Sequence, residues 1–164
     1  MDSIKQFLFE ASDTSKKEKV VKCIIKYGDK ILILRRAANT PGEGSWDLPG
    51  GMLKENEKPE DGVKREVKEE TTLELKNLKS KKVVTIKDNE TGPINSQIYN
   101  ADAVNDAVYL PPSTSNREKF AFWNAPKPEH SEFKWIKYQD ELEPLRMVDD
   151  YKVAILSMLK ERQT

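Results

Sequence analysis

The chain has 164 residues, which suits a single domain and is long enough to bury a hydrophobic core. Lysine plus arginine and aspartate plus glutamate are balanced at 28 residues each, so no net charge draws the protein to nucleic acid or to an anionic membrane. The apolar stretch between Ile4 and Phe9 is too short for a signal peptide or a membrane span, and we therefore expect a cytoplasmic protein.

Two apolar runs, VVKCII and KILIL, predict a β-hairpin near the start of the chain. Gly28 and Asp29 lie between the runs and supply the turn. Cys23 lies inside the first run, and we expect it to be a packed strand residue, because a reactive thiol needs an accessible, electropositive setting. A single cysteine also excludes a disulfide bond within the chain.

A loop rich in glycine and proline, AANTPGEGSWDLPGG, follows the hairpin and ends in a glycine pair. Pro59 then fits the first turn of a helix, where its missing N–H group costs no hydrogen bond. Val63 and Val67 are one helical turn apart and can face a core. Together these residues predict a helix from Pro59 to about Thr71.

The second half of the chain predicts four further strands, one long loop and a C-terminal helix. The strand segments are KKVVTI, SQIYNADAV, FAFW and EFKWI, with the turn-rich KDNETGPIN between the first two. The segment AVYLPPSTSNREK holds a proline pair and a polar run, which predicts the loop. The apolar stripe of the C-terminal helix, in DDYKVAILSMLKER, consists of Tyr151, Ala154, Ile155, Met158 and Leu159.

Three carboxylates share one face of the helix that begins at Pro59. Glu66, Glu69 and Glu70 occupy positions i, i+3 and i+4, which are neighbours on a helical surface. One interpretation is a solvent-exposed helix held by ion pairs, since Arg65 can pair with Glu69. The other is a site for a hard divalent cation such as Mg²⁺, which prefers oxygen ligands.

The glycine pair before the helix favours the second interpretation. Gly50 and Gly51 allow a backbone turn that residues with a Cβ atom resist, and they let a carbonyl oxygen approach an ion closely. A backbone carbonyl and clustered carboxylates together form a suitable set of ligands for Mg²⁺, which keeps several of its own waters.

The spacing of these residues resembles the Nudix box, G-x5-E-x7-R-E-U-x-E-E-x-G-U, in which U is an aliphatic residue. Matches at the six non-aliphatic positions, with background frequencies of about 7% each, would coincide by chance about once in 10⁷ windows. The preceding GSWDLPGG is also similar to the lead-in of that family. The matching positions are Gly51, Glu57, Arg65, Glu66, Val67, Glu69, Glu70 and Leu73.

Two positions depart from the family pattern. Thr72 stands where the family usually has glycine, and a β-branched residue resists the left-handed conformation by roughly 1 kcal/mol or more, so we expect the helix exit to differ. Lys58 stands where a capping Ser or Thr is common, and lysine cannot accept a capping hydrogen bond. All three box glutamates precede Thr72, so we expect the activity to persist.

The resemblance implies an α/β fold, a Nudix-type α/β/α sandwich around a mixed β-sheet, formed by a single domain. It also implies Mg²⁺-dependent hydrolysis of a nucleoside diphosphate linked to another moiety, with Mn²⁺ able to substitute for Mg²⁺. The products of that reaction are a nucleoside monophosphate and a phosphorylated remainder.

The resemblance further implies roles for individual residues of the box. Arg65 would orient the carboxylates through charge-assisted hydrogen bonds, and Gly51 and Glu57 would shape and brace the loop. The implied metal ligands are Glu66, Glu69, Glu70 and the carbonyl of Gly50, and Glu69, Glu70 and Arg65 are also the implied catalytic residues.

A further glutamate is expected outside the box, about six residues before a strand tryptophan in the family layout. Glu129 has that offset from Trp135, so we expect Glu129 to bind a metal or to take the proton of the attacking water. Glu132 lies closer to the strand, and we expect a structural contact there. His130 is a rival base by its ordinary pKa, but we expect it to be a loop residue.

Substrate recognition involves residues outside these motifs. Arg35, Arg36, Tyr109 and Trp123 are the candidate substrate-binding residues, and the two aromatic rings could stack on a base unless they belong to the core. Around residues 88–119 we expect an inserted hairpin and loop that shapes the substrate pocket or a homodimer contact.

Three substrate classes remain open: a nucleotide sugar such as ADP-ribose, a dinucleoside polyphosphate and a non-canonical nucleoside triphosphate. The alternative to an enzyme is a non-catalytic Nudix module that senses a nucleotide, although such modules commonly lose box glutamates that this chain keeps. We expect no membrane partner. A nucleic-acid substrate would need a basic groove, which the neutral net charge does not indicate.

Overall fold

The computed structural model of the protein describes residues 19–88, 92–112 and 128–163. Within those ranges the chain forms a mixed β-sheet and three helices. No helix in the described ranges is long and apolar enough to cross a membrane. The elements are β1 Lys19–Tyr27, β2 Lys30–Arg36, β3 Trp46–Asp47, β4 Gly50–Met52, α1 Pro59–Thr71, β5 Leu75–Asp88, β6 Gly92–Ala103, β7 His130–Ile136, α2 Gln139–Leu142 and α3 Asp149–Leu156.

The sheet has the strand order β3-β2-β1-β6-β5, with β4 also paired to β1 and β7 also paired to β2. The β1–β6 pair is parallel and the other pairs are antiparallel. The predicted first hairpin is confirmed: Tyr27 pairs with Lys30 across a turn in which Gly28 has a φ of +61°. That positive φ suits glycine because glycine has no Cβ atom to clash.

Two layers of apolar residues cover the two faces of the sheet, because successive side chains of a strand point to opposite faces. On one face Cys23 and Leu32 pack with Val63 of α1. On the other face Ile24 and Ile33 pack with residues of α2 and α3. This arrangement confirms the predicted α/β/α sandwich around a mixed sheet. It also buries Cys23 completely, as predicted.

Helix α1 has the predicted bounds and differs from expectation only at its exit. Thr72 adopts the left-handed conformation, with a φ of 63°, and its N–H donates to the Lys68 carbonyl. The prediction that the helix exit differs from the family pattern is therefore wrong. Thr72 adopts the left-handed conformation that glycine usually has at this position, with the backbone strain that a glycine would avoid. At the other end Lys58 provides no side-chain cap, as predicted.

Two parts of the chain, the β5–β6 pair and helix α3, have bounds that differ from their sequence-based predictions. Strand β5 begins at Leu75, before the predicted KKVVTI, and β6 begins at Gly92, before the predicted SQIYNADAV, and is the parallel partner of β1. Helix α3 ends at Leu156, before the end of its predicted apolar stripe. The predicted strand FAFW, with Trp123, lies outside the described residues.

Candidate active site

The glycine pair belongs to β4, which pairs with β1 and lies against α1. Gly50 has a φ of +140°, and a Cβ atom on it would lie 2.0 Å from the Val21 carbonyl oxygen. A Cβ atom on Gly51 would lie 2.6 Å from Oε2 of Glu66. The Gly50 N–H also donates to Oε2 of Glu70, at 3.3 Å. The backbone of β4 therefore lies against two of the three glutamates on the α1 face.

Arg65 connects these carboxylates to the loop before the helix. Its Nε and Nη2 atoms donate to the two carboxylate oxygens of Glu57, at 2.8 and 2.9 Å. Its Nη1 atom donates to Glu66 at 2.9 Å and to Glu69 at 3.2 Å, and Nη2 also donates to the Met52 carbonyl. The pairing extends well beyond the Arg65–Glu69 contact that a solvent-exposed helix would need.

Glu57 braces the loop from the other side of this network. Its Oε1 atom accepts the Lys54 N–H at 3.0 Å. The hydrogen bonds from Arg65, followed by the bond from the Lys54 backbone, lower the pKa of Glu57 to about 2. The ionised form of Glu57 is thus more stable in the folded protein than in the unfolded chain.

We expect Glu57→Gln to lower the melting temperature at neutral pH. A depressed carboxyl pKa contributes stability that is present above its unfolded value near 4.5 and is lost as the pH falls toward about 2. The gap in melting temperature between wild type and Glu57→Gln should therefore close over that pH range. Melting curves from pH 7 to pH 2.5 measure it, and a gap that stays constant over the range would contradict the ion pair as its origin.

The carboxylates of Glu66 and Glu70 are largely shielded from solvent and have other negative charges nearby. Burial is the largest cause that raises the pKa of Glu70, and Glu66, Glu129 and Asp47 raise it further, whereas Lys22 lowers it. Burial also raises the pKa of Glu66, against the lowering effect of Arg65. Such clustered carboxylates repel one another, and a cation between them would relieve the repulsion.

A cavity of about 280 Å³ lies next to these carboxylates and is lined by them. It brings Glu129, which directly precedes β7, to the same space as the helix glutamates, although Glu129 is far from them in sequence. A second cavity adjoins it and shares Leu110, Pro128 and His130. The lining of the first cavity is Glu66, Lys68, Glu69, Glu70, Leu110, Pro111, Pro112, Pro128, Glu129 and His130.

His130 is a strand residue, so the expectation that it is a loop residue is wrong. It opens β7 opposite Arg36 and is 3% exposed, and its Nδ1 atom lies 3.8 Å from Oε2 of Glu70. No described residue gives a hydrogen-bond partner to its buried Nε2 atom. Burial, followed by the charges of Arg36 and Lys22, lowers the pKa of His130 to about 3, which keeps the imidazole neutral near pH 7.

The two candidate substrate-binding arginines hold the loop between β2 and β3. Arg35 donates from Nε to the Gly44 carbonyl and forms an ion pair with Glu132 at 3.3 Å. Arg36 donates from Nε to the Pro41 carbonyl at 2.9 Å. Neither arginine lines the carboxylate cavity. The Arg35 pair also gives Glu132 a structural contact.

The two candidate aromatic residues are not both described. Tyr109 lies in the segment after β6, where its N–H donates to the Thr71 carbonyl at 3.1 Å and its side chain is exposed. Its ring does not line the carboxylate cavity. Trp123 lies outside the described residues. A stacking role for either ring stays a prediction.

A buried ion pair that was not predicted from the sequence lies beside this site. The Lys22 ammonium lies 2.8 Å from Oδ2 of Asp47, and burial and the opposite charge of Asp47 act against each other on the Lys22 pKa, with a net rise. The available signal was a lysine inside the apolar run VVKCII, which predicts a buried charge that needs a partner.

The residues around the cavity fit a hard divalent cation by their chemistry. The donors are carboxylate oxygens that repel one another, and the absent Cβ atom of Gly51 leaves the space next to Glu66 open. Among residues 19–88, 92–112 and 128–163, no three metal-ligating side chains already converge on one point. Arg65 binds one oxygen each of Glu66 and Glu69, which leaves the second oxygen of each carboxylate to bind a cation.

Comparison with solved structures identifies the fold. The MutT NUDIX hydrolase of Burkholderia pseudomallei is 21% identical, with a TM-score of 0.65 over 88% of this chain and 99% of that one. The NUDIX domain of Shewanella oneidensis NrtR, solved with ADP ribose, is 20% identical, with a TM-score of 0.64 over 87% of this chain and 85% of that one. At these identities the likeness establishes the fold alone.

Comparison with sequences identifies the family. An ADP-ribose pyrophosphatase of Methanocaldococcus jannaschii is 32% identical over 105 residues, which is 63% of this chain and 62% of that protein. The chain spans between about one third and three fifths of the curated relatives that it matches. The NUDIX domain family model matches residues 16–156, which include the whole carboxylate site. The chain therefore belongs to the Nudix hydrolase family.

Proposed function

We propose that the protein is a Mg²⁺-dependent pyrophosphohydrolase that cleaves a nucleoside diphosphate linked to another moiety. The observation that carries the proposal is the meeting of Glu66, Glu69, Glu70 and Glu129 at one cavity. ADP-ribose is the first substrate to test, because one sequence relative is named an ADP-ribose pyrophosphatase and one structural relative was solved with ADP ribose.

A bound divalent cation would neutralise phosphate charge and lower the pKa of a water molecule. Glu66, Glu69, Glu70 and the Gly50 carbonyl would hold the cation, while Arg65 keeps two of these carboxylates in place. Water attacks one phosphorus atom and the phosphoanhydride P–O bond breaks, with the second phosphate as the leaving group. Glu129 accepts the proton of the attacking water.

Hydrolysis of a panel of compounds tests this function. The panel contains ADP-ribose, a dinucleoside polyphosphate and non-canonical nucleoside triphosphates, each with Mg²⁺, with Mn²⁺ and with EDTA. Phosphate release with and without a coupling phosphatase separates monoester products from free phosphate. We expect turnover that EDTA abolishes. Tight nucleotide binding without turnover of any compound would instead support the sensing module.

We expect Arg65→Ala to lower kcat/KM by about 10- to 100-fold, because residues that orient metal ligands typically have effects of that size. Its guanidinium holds Glu57, Glu66 and Glu69 at once. The matched control is Arg162→Ala, which removes an exposed pair with Asp140 and should leave kcat/KM unchanged. Equal kcat/KM in both variants and in wild type would contradict a positioning role for Arg65.

We expect Glu129→Gln to lower kcat by about 100-fold, because a general base contributes roughly 10²- to 10⁴-fold to the rate. Glu129 lines the carboxylate cavity, whereas Glu132 pairs with Arg35 outside it. Glu132→Gln is therefore the matched control and should keep nearly full kcat. Steady-state rates for both variants decide the point, and a larger loss in Glu132→Gln would show that the base lies elsewhere.

A further inference from the structure

Lys22 is a buried lysine on the central strand of the sheet. It lies between the apolar residues Val21 and Cys23, and 7% of its surface is exposed. Its Nζ atom donates to Oδ2 of Asp47 at 2.8 Å and to the Leu48 carbonyl at 3.2 Å. Both acceptors belong to the short stretch 47–49, which leads into the glycine pair of β4. The ammonium therefore ties that stretch to β1 from inside the core.

The same stretch is connected to the carboxylate site through the backbone. The Cys23 N–H donates to the Pro49 carbonyl at 2.8 Å, and Gly50 pairs with Lys22 across the β1–β4 ladder. The Gly50 N–H in turn donates to Oε2 of Glu70. A displacement of the stretch would thus move the donor that holds Glu70.

Stability alone does not account for a charge at this position. Replacing a buried ion pair by apolar side chains of similar volume is often neutral or stabilising. The face of β1 that carries Lys22 also carries Ile24, which packs in the apolar core. The ammonium lies 6.0 Å from the ring centroid of Tyr151, whose hydroxyl is hydrogen-bonded to Ser96 at 2.7 Å. Buried polar contacts of this kind define a geometry more narrowly than apolar packing does.

We propose that Lys22 is a positioning residue for this active site. Its ammonium holds Asp47 and Leu48 in place and, through them, the Gly50 amide that orients Glu70. The activity readout of this inference rests on the proposed function, but cation binding and thermal stability test it separately.

A double substitution to neutral residues, Lys22→Met with Asp47→Asn, tests the role; it is called the swap below. The two substitutions remove both charges and nearly keep the side-chain volumes, so we expect the melting temperature to stay within about 4 °C of wild type. We expect kcat to fall about tenfold or more with little change in KM, and the dissociation constant for Mn²⁺, measured by titration, to rise about tenfold.

The matched control is Lys26→Met with Asp102→Asn. This pair joins β1 to β6, lies 3.9 Å apart and is partly exposed, so its swap should change neither kcat nor Mn²⁺ affinity. A Lys22–Asp47 swap that keeps wild-type kcat and Mn²⁺ affinity would overturn the inference and leave the pair a purely structural contact. A wild type that binds Mn²⁺ but hydrolyses nothing would defeat the proposed function only, and the Mn²⁺ titration would then decide the role of Lys22. A wild type that binds no Mn²⁺ would overturn both.

A second variant covers the case in which the swap does not fold. Asp47→Asn alone keeps the ammonium and one oxygen, which the ammonium and the Leu48 N–H must then share, and it removes the charge that strengthens their bonds. We expect this variant to fold with a lower melting temperature than wild type, because the ammonium loses its counter-charge, and to show a several-fold fall in kcat and in Mn²⁺ affinity. Unchanged values of both quantities in Asp47→Asn would overturn the inference.

Discussion

Glu70→Gln is expected to lower kcat by at least about 100-fold, because it removes a proposed metal ligand, and residues that merely support such ligands already contribute about 10- to 100-fold. The melting temperature should stay the same or rise. Glutamine can still accept the Gly50 N–H, and the substitution removes a buried carboxylate whose pKa is raised by burial and by neighbouring glutamates.

Steady-state kinetics beside melting curves measure both quantities. Glu69→Gln should lower kcat by a similar factor, although Glu69 is half exposed and pairs with Arg65. The matched control is Glu74→Gln, which removes an exposed carboxylate that pairs with Lys68 just after the helix. Near-wild-type rates in both the Glu69 and Glu70 variants would contradict the assignment of the metal site.

Gly50→Ala is expected to destabilise the protein by about 3 kcal/mol, which corresponds to a fall of about 6–12 °C in melting temperature for a domain of this size. The added Cβ atom would lie 2.0 Å from the Val21 carbonyl oxygen and 2.8 Å from the Cα atom of Lys22. Both are backbone atoms of the central strand, so neither can rotate away.

Gly28→Ala is the control that separates backbone conformation from crowding. Gly28 also has a positive φ, of +61°, but an added Cβ atom would meet nothing within 4 Å. We expect a loss of about 1 kcal/mol there, or roughly 2–4 °C in melting temperature. Equal losses at the two glycines in thermal or urea unfolding would show that close approach to β1 is not what requires Gly50.

The fold could be predicted from the sequence where its signals are local. The Gly28–Asp29 turn and the helix from Pro59 depend on residues a few positions apart, and the structure confirms both. The exit of α1 could not be predicted in this way. The left-handed cost at Thr72 is a local cost, whereas the packing of Leu73 into the core, which favours the same exit, is a tertiary effect.

The contacts of the two candidate substrate-binding arginines also depend on tertiary structure, and their role in binding substrate stays a prediction. Arg35 and Arg36 end a strand, where a charged side chain can point toward a ligand or bind the adjacent loop. The backbone carbonyls of Gly44 and Pro41 lie within reach only after the loop between β2 and β3 has folded back on the strand. A backbone carbonyl without another hydrogen-bond partner competes with a ligand for the arginine side chain. The sequence does not show which carbonyls will lie within reach.

The amino-acid sequence was enough to predict the helix with its three carboxylates on one face, the glycine pair before it and the Nudix family. These features depend on spacing within one segment, and the periodicity of a helix converts spacing directly into a shared face. Contacts between residues that are distant in the sequence, at that face and beside it, depend on how the strands pair. Pairing of β7 with β2 places His130 opposite Arg36 and brings it to 3.8 Å from Glu70. Pairing of β3 with β2 and of β2 with β1 brings Asp47 to Lys22. Strand register decides such contacts, because a shift of one residue would turn each of these side chains to the other face of the sheet.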